Sequence, residues 1–106
     1  MELSVQIERY LEQYRDEIVE NVCKLVQIPS LACQDESGKP YGEACARALD
    51  FCSELAQSKH LHTRNYDYRC IEATLNPEAK GKRLVLASHA DVVPVDEDEM
   101  IYPAFG

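Results

Sequence analysis

The residues of this chain best suited to chemistry lie in one short run, Leu84 to Pro94. An apolar stretch leads into His89, Asp91 follows two residues later, and a proline ends the run. A neutral imidazole can give one ring nitrogen to a metal ion, while its other N–H needs a carboxylate or carbonyl to fix the tautomer. The pattern therefore makes His89 a candidate metal ligand, with Asp91 as its candidate partner.

The apolar run from Arg83 to Ser88 predicts a short strand covered on both faces, as in a sheet with helices packed against it. Residues i and i+2 of a strand point to the same side, so His89 and Asp91 would face the same space at the strand's end. In open α/β sheets, ligands bind in the crevice outside the carboxyl ends of the strands. Asp91 would then orient His89 itself, a neighbouring ligand or a bound water, and the residues leave these three roles open.

A structural interpretation of the same motif stands beside the metal-binding one. Because H-x-D is short, His89 in another protein would more often be a hydrogen-bonded core residue, with Asp91 capping a turn before Pro94. Here the motif follows an apolar run and precedes an acidic loop and an aromatic-proline segment. That context favours a functional role.

Composition restricts the class of protein. A chain of 106 residues has room for one domain, and 45% hydrophobic with 28% charged residues is ordinary for a soluble globular protein. The formal net charge of −8 argues against nucleic acid and against anionic membranes as partners. The chain has no apolar run near the roughly 18 residues of a membrane span and no secretory signal at its start.

The five cysteines are an odd number and contain no C-x-x-C pair. They make a poor disulfide framework and a poor zinc cage, so reduced thiols in the cytoplasm are the simplest interpretation. Cys45 and Cys52 are seven residues apart on one face of a predicted helix, where burial is favoured over metal binding.

The elements expected to position the motif are two helices followed by three strands. The first helix is predicted from an N-cap at Ser4 to a stop before Pro29, and the second over residues 41–59. An apolar stripe marks the core face of the first helix: Ile7, Leu11, Tyr14, Ile18, Val22 and Leu25. Weak alternation predicts strands over 62–69 and 70–75, before the apolar strand at 83–88. His60, His62 and the acidic run 96–99 are expected to be solvated.

The H-x-D run also resembles the first metal-site motif of a zinc hydrolase family. That family includes aminoacylase, carboxypeptidase G, succinyl-diaminopimelate desuccinylase and the peptidase V-like dipeptidases. The resemblance rests on Ser88-His89-Ala90-Asp91-Val92-Val93-Pro94, on the post-helix segment Val26-Gln27-Ile28-Pro29-Ser30, on Tyr41-Gly42-Glu43-Ala44 at a helix start, and on Met100-Ile101-Tyr102-Pro103-Ala104-Phe105-Gly106. The last segment has Met100 where the family usually has tryptophan and Ala104 where it has a second proline. The helix-opening segment favours the dipeptidase branch.

By that resemblance, His89 would ligate one zinc of a two-zinc site, with cobalt or manganese as substitutes, and Asp91 would be the catalytic aspartate that supports the metal. The substrate would be a dipeptide or N-acyl amino acid, hydrolysed at an amide near a free carboxylate by a zinc-activated water. Residues 1–106 would be the N-terminal portion of the catalytic domain, the incomplete start of an α/β/α sandwich. The lid domain and the later metal ligands would lie outside these residues.

We therefore expect the chain alone to be inactive and to bind zinc weakly. An unpaired sheet edge would also promote self-association. Two alternatives remain at this point. The chain would be a small non-catalytic α/β binding or interaction module, or a domain completed by a separately encoded chain.

Overall fold

The structure is a computed structural model and describes residues 2–106. It contains three α-helices, one two-stranded antiparallel sheet and a short 3₁₀ turn. The bounds are α1 Leu3–Gln13, α2 Arg15–Val26, α3 Glu43–Ser58, β1 His62–Asn65, β2 Ile71–Thr74 and the 3₁₀ turn Glu97–Glu99. The predicted mixed α/β class, with helices before strands, is confirmed. None of the helices in residues 2–106 is long and apolar enough to cross a membrane.

The first predicted helix is divided into α1 and α2 at Tyr14, whose backbone has φ −105° and ψ 12°. The ring of Tyr14 lies 4.6 Å from that of Tyr10 and 6.0 Å from the Lys59 ammonium, which also pairs with Glu17. The helix begins at Leu3, directly after Glu2, so the prediction of an N-cap at Ser4 is wrong. The helical hydrogen bonds start at the Glu2 carbonyl, which accepts from the Gln6 N–H, two residues earlier than the capping preference of serine suggested.

The apolar stripe of the first predicted helix does not reach a core. Neither α1 nor α2 contains a buried residue. Four of the six members of the stripe are exposed: Ile7, Leu11, Ile18 and Val22. The other two members, Tyr14 and Leu25, are half-buried. Among the described residues too little chain packs against this face to cover it.

The second predicted helix corresponds to α3, which carries the small core. Cys45, Ala46 and Ala48 are its buried side chains. The helix begins after Gly42, where φ is 92°, and the Asp35 carboxylate accepts a 2.8 Å hydrogen bond from the Glu43 N–H. This contact satisfies one of the helix's unpaired N-terminal donors.

The β-hairpin packs against α3. Its strands pair from His62 with Thr74 to Asn65 with Ile71. The alternation that predicted a strand through Arg69 continues into the turn, where Asp67 and Tyr68 have φ of 56° and 57°. The turn contains no Gly or Asn-Gly signal that would have marked it in the sequence.

The structure does not confirm the third strand, predicted over Arg83–Ser88, or the sandwich. This segment forms no strand within residues 2–106, and Leu84 and Leu86 are 89% and 88% exposed. A buried strand needs hydrogen-bonding neighbours and cover on both faces. The described part of the chain supplies neither at this place, so the apolar residues remain in solvent.

Candidate metal centre

The segment that carries the H-x-D motif is attached to the core through Ser30. The Ser30 side chain is 1% exposed, and its hydroxyl donates a 2.7 Å hydrogen bond to the carbonyl of Ala90. The Val92 N–H donates to the Ser30 carbonyl at 3.0 Å, and Leu31 and Val92 form an isolated parallel bridge. Ser30 therefore holds the backbone on both sides of Asp91.

A cysteine of α3 forms a hydrogen bond with Ser30. The Cys45 thiol donates to the Ser30 carbonyl at 3.4 Å. Burial, the Asp91 charge and Cys33 raise the pKa of Cys45, which keeps it in the thiol form that donates. The motif is thus connected through Ser30 to the buried face of the central helix.

His89 and Asp91 are in direct contact. The Nδ1 atom of His89 lies 3.1 Å from the Asp91 carboxylate Oδ1 and 3.1 Å from the Asp91 carbonyl oxygen. Both oxygens are acceptors, so Nδ1 is the donor in these contacts, and in the neutral imidazole this leaves the lone pair on Nε2. Of the three roles left open for Asp91, this geometry corresponds to direct orientation of His89. The His89 side chain is 82% exposed, which leaves Nε2 accessible.

The donor set fits one metal ligand and does not by itself fit a catalytic zinc. A catalytic zinc has three protein ligands and an open position, and a ligating histidine is oriented by a second group. His89 and Asp91 would supply one ligand and its orienting group. Within residues 2–106, no cluster of three or more His, Cys, Asp or Glu side chains is arranged to hold a metal ion.

A cleft of about 500 Å³ opens beside this pair. Elements far apart in the chain form its walls: Leu25, Ala32, Tyr41, Cys45, Leu49, Cys52, Arg69, Cys70, Ile71, Ser88, His89, Ala90 and Asp91. The walls are mainly apolar, with the His89–Asp91 pair and Arg69 as charged or polar groups. This size and composition are typical of a small-molecule site.

The cysteines on α3 pack as predicted. Cys45 is buried and Cys52 half-buried, and burial raises the pKa of the Cys52 thiol. Thiolates are the form that binds metal, so burial disfavours that role here. All five cysteines are free thiols.

The remaining candidate groups lie away from the pair or in solvent. His60 and His62 are exposed, as predicted. The acidic run is also exposed and forms the short 3₁₀ turn, in which the Asp96 side chain accepts from the Asp98 N–H at 3.0 Å.

The sequence pattern does not identify two residues of the site. Ser30 falls within the post-helix segment, and Arg69 falls within a predicted strand. The sequence signal available for Ser30 is its place directly after the helix-ending proline. Arg69 had no signal, because its place in the cleft depends on a turn without glycine.

No protein-family model and no curated protein matches this chain.

Proposed function

We propose that residues 1–106 contribute the first metal ligand of a zinc-dependent dipeptidase or amidohydrolase. The family resemblance of the motif suggests this reaction, and one geometric observation supports it: His89 Nδ1 lies 3.1 Å from the Asp91 carboxylate. That arrangement leaves Nε2 free at the edge of a cleft of suitable size.

In this proposal the chain's own residues have distinct roles. His89 offers its Nε2 lone pair, Asp91 fixes the tautomer, and Ser30 holds the backbone that carries both. Zinc, when bound, would supply Lewis-acid activation of a water for attack on an amide carbonyl. The apolar walls would receive a side chain of the substrate, a dipeptide or an N-acyl amino acid.

The further ligands and the general base would come from outside residues 1–106, as the resemblance implies. The sandwich and its third strand belong to the same proposal: the exposed segment from Leu84 to Leu86 would become a strand once neighbours cover it. A single imidazole ligand binds zinc weakly, so we expect little affinity and no turnover from the chain alone. A cytoplasmic location with reduced cysteines remains part of the proposal.

Zinc titration of the purified chain tests the ligand assignment. Isotope-labelled imidazole signals, followed by NMR, should shift at His89 before any other histidine, and His89→Ala should abolish that shift. His62→Ala is the matched control, since His62 is exposed on β1. Zinc binding that survives His89→Ala and is lost in His62→Ala would refute the assignment.

Hydrolysis assays with dipeptides and zinc or cobalt address the second part. Absence of turnover by the chain alone agrees with a site that needs further ligands. Turnover that persists in His89→Ala would exclude the proposed centre. A chain whose cooperative unfolding responds neither to zinc nor to His89→Ala would instead be the non-catalytic binding module.

A further inference from the structure

The cleft has one cationic side chain. Of the residues that the structure describes, Arg69 is the only lysine or arginine in its walls. Its guanidinium makes no hydrogen bond or ion pair within residues 2–106. By contrast, Lys59 is paired with Glu17, Lys24 with Glu20, and Arg83 donates to main-chain carbonyls. The donors of Arg69 are therefore available to a ligand.

The position of Arg69 is determined by the hairpin turn. Asp67 and Tyr68, the two residues before it, both have positive φ, a backbone conformation that non-glycine residues rarely adopt. The Tyr68 N–H donates to the Asn65 side chain at 2.7 Å, and the Arg69 N–H donates to the Tyr66 carbonyl at 3.1 Å. These local bonds direct the chain back toward β2.

Contacts with distant residues hold the same turn against α3. The Tyr68 hydroxyl donates to the Asp50 carboxylate at 3.0 Å, and the Lys39 ammonium lies 4.2 Å from the centre of the Tyr68 ring. This bond and the charge of Asp50 raise the pKa of Tyr68, so its hydroxyl stays protonated and donating. Arg69 is thereby presented at the cleft by a turn fixed on both sides.

The chemistry of the Arg69 guanidinium favours one class of ligand. The formal net charge of −8 disfavours anions over the surface as a whole, so an anion binds best where a cation without an internal partner offsets that charge. A planar guanidinium without an internal partner binds a carboxylate through two parallel hydrogen bonds. The neighbouring walls are apolar, so a compact ligand with one carboxylate and one apolar side chain suits the cleft.

We infer that Arg69 is the carboxylate-binding residue of the cleft and selects ligands that carry a free carboxylate beside an apolar group. The inference rests on the proposed function for the identity of the ligand as a substrate. The binding itself needs only Arg69 and the cleft, and not the metal.

A metal-free NMR titration tests it, with N-acetyl-leucine, N-acetyl-leucinamide and inorganic phosphate as probes. N-acetyl-leucine should shift the amide signals of the cleft residues. The amide should bind at least about tenfold more weakly, the range of one hydrogen bond to a charged group. Phosphate should not compete, because it lacks the apolar group.

Arg69→Gln should remove the preference for the acid over the amide, while Arg69→Lys should keep part of it. Arg64→Gln is the matched control, since Arg64 lies on the same hairpin with its guanidinium 4.5 Å from the Tyr66 ring and outside the cleft walls. Equal binding of acid and amide by the unmodified chain would overturn the inference. So would a preference unchanged in Arg69→Gln, or phosphate binding at the same residues.

The failure of the metal proposal is distinguishable from failure of this one. The zinc response at His89 and the acid preference of the metal-free chain, measured with a chelator present, are separate readouts. A chain that shows the Arg69-dependent preference without any zinc response supports this subsite and refutes the metal centre. A chain that responds to zinc at His89 but binds acid and amide equally supports the metal centre and refutes the Arg69 subsite.

Discussion

The hydroxyl of Ser30 donates a 2.7 Å hydrogen bond to the carbonyl of Ala90, sixty residues later in the chain. The Ser30 carbonyl in turn accepts from Val92 N–H and from the Cys45 thiol. Asp91 lies between the two residues that Ser30 holds. The orientation of the candidate metal ligand therefore depends on a buried serine that contacts neither ring nor carboxylate in these bonds.

Replacing Ser30 with alanine should destabilise the chain and loosen the motif. The half-buried Ala90 carbonyl would lose its partner, and a typical hydrogen bond contributes about 0.5–1.5 kcal/mol. Urea unfolding followed by circular dichroism measures the change. Ser58→Ala is the control: its exposed hydroxyl donates to the Leu55 carbonyl one turn back, so the loss should stay within about 0.5 kcal/mol. Equal losses in both variants would contradict the anchoring role of Ser30.

Asp91→Asn should weaken zinc binding at His89 without a matching loss of stability. Removing a group that orients a metal-binding histidine typically costs about 10–100-fold in metal affinity. The nitrogen chemical shifts of the His89 ring should also show the proton moving from Nδ1 toward Nε2. Asp98→Asn, in the exposed acidic run, should change neither quantity. Zinc affinity lost equally in Asp98→Asn would place the ion in the acidic loop instead.

Gly42→Ala should destabilise the start of α3. Gly42 has φ 92°, and a methyl group there would lie 2.9 Å from the Cys33 sulfur and 3.1 Å from the Cys33 carbonyl oxygen. We expect a loss above the roughly 1–2 kcal/mol of left-handed strain alone. Gly38→Ala isolates that strain, since φ is 76° but nothing lies within 4 Å of the new methyl group. Thermal unfolding of both variants should rank Gly42→Ala as the less stable.

Stability should fall at acidic pH partly through Asp35. Hydrogen bonds from the Ser37 hydroxyl, the Glu43 N–H and the Ser37 N–H lower the pKa of Asp35. Because the folded-state pKa lies below the unfolded value of about 3.9, the stabilisation is complete above that value. It is lost as pH falls through the folded-state pKa.

Asp35→Asn should therefore be less stable than the unmodified chain at pH 6, and the two should converge toward pH 2. Urea unfolding at a series of pH values measures this difference. Glu36→Gln, which removes an adjacent exposed carboxylate, is the control. Its free energy of unfolding should change with pH in the same way as that of the unmodified chain. A constant gap between Asp35→Asn and the unmodified chain at all pH values would rule out this linkage.

The exposed apolar segment should cause concentration-dependent self-association. Leu84, Val85 and Leu86 are in solvent, and their main-chain groups form no hydrogen bonds within residues 2–106. A second copy can pair with such an edge and cover its side chains. Sedimentation at several concentrations should show the association weakening in Leu84→Lys/Leu86→Lys. Leu3→Lys, an exposed leucine on α1, should have a smaller effect. A monomer at every concentration would refute the prediction.

Short-range patterns were sufficient to predict much of the local structure. The apolar spacing and Pro29 predicted a helical N-terminal region that ends before Ser30, and the second helix was correct to within two residues at its start. These features depend on neighbours one turn apart, so their physical causes are visible in a short window. The proximity of His89 and Asp91 followed for the same reason, because they are two residues apart.

Contacts between distant segments decided the rest. The Ser30–Ala90 bond, the position of Arg69 in the cleft and the exposure of Leu84 each depend on which parts of the chain meet in space. Whether an apolar run becomes a strand is set by the hydrogen-bonding partners and cover that other segments provide. The sequence shows that the apolar run around Leu84 favours burial. Whether the run is buried depends on the segments that pack around it.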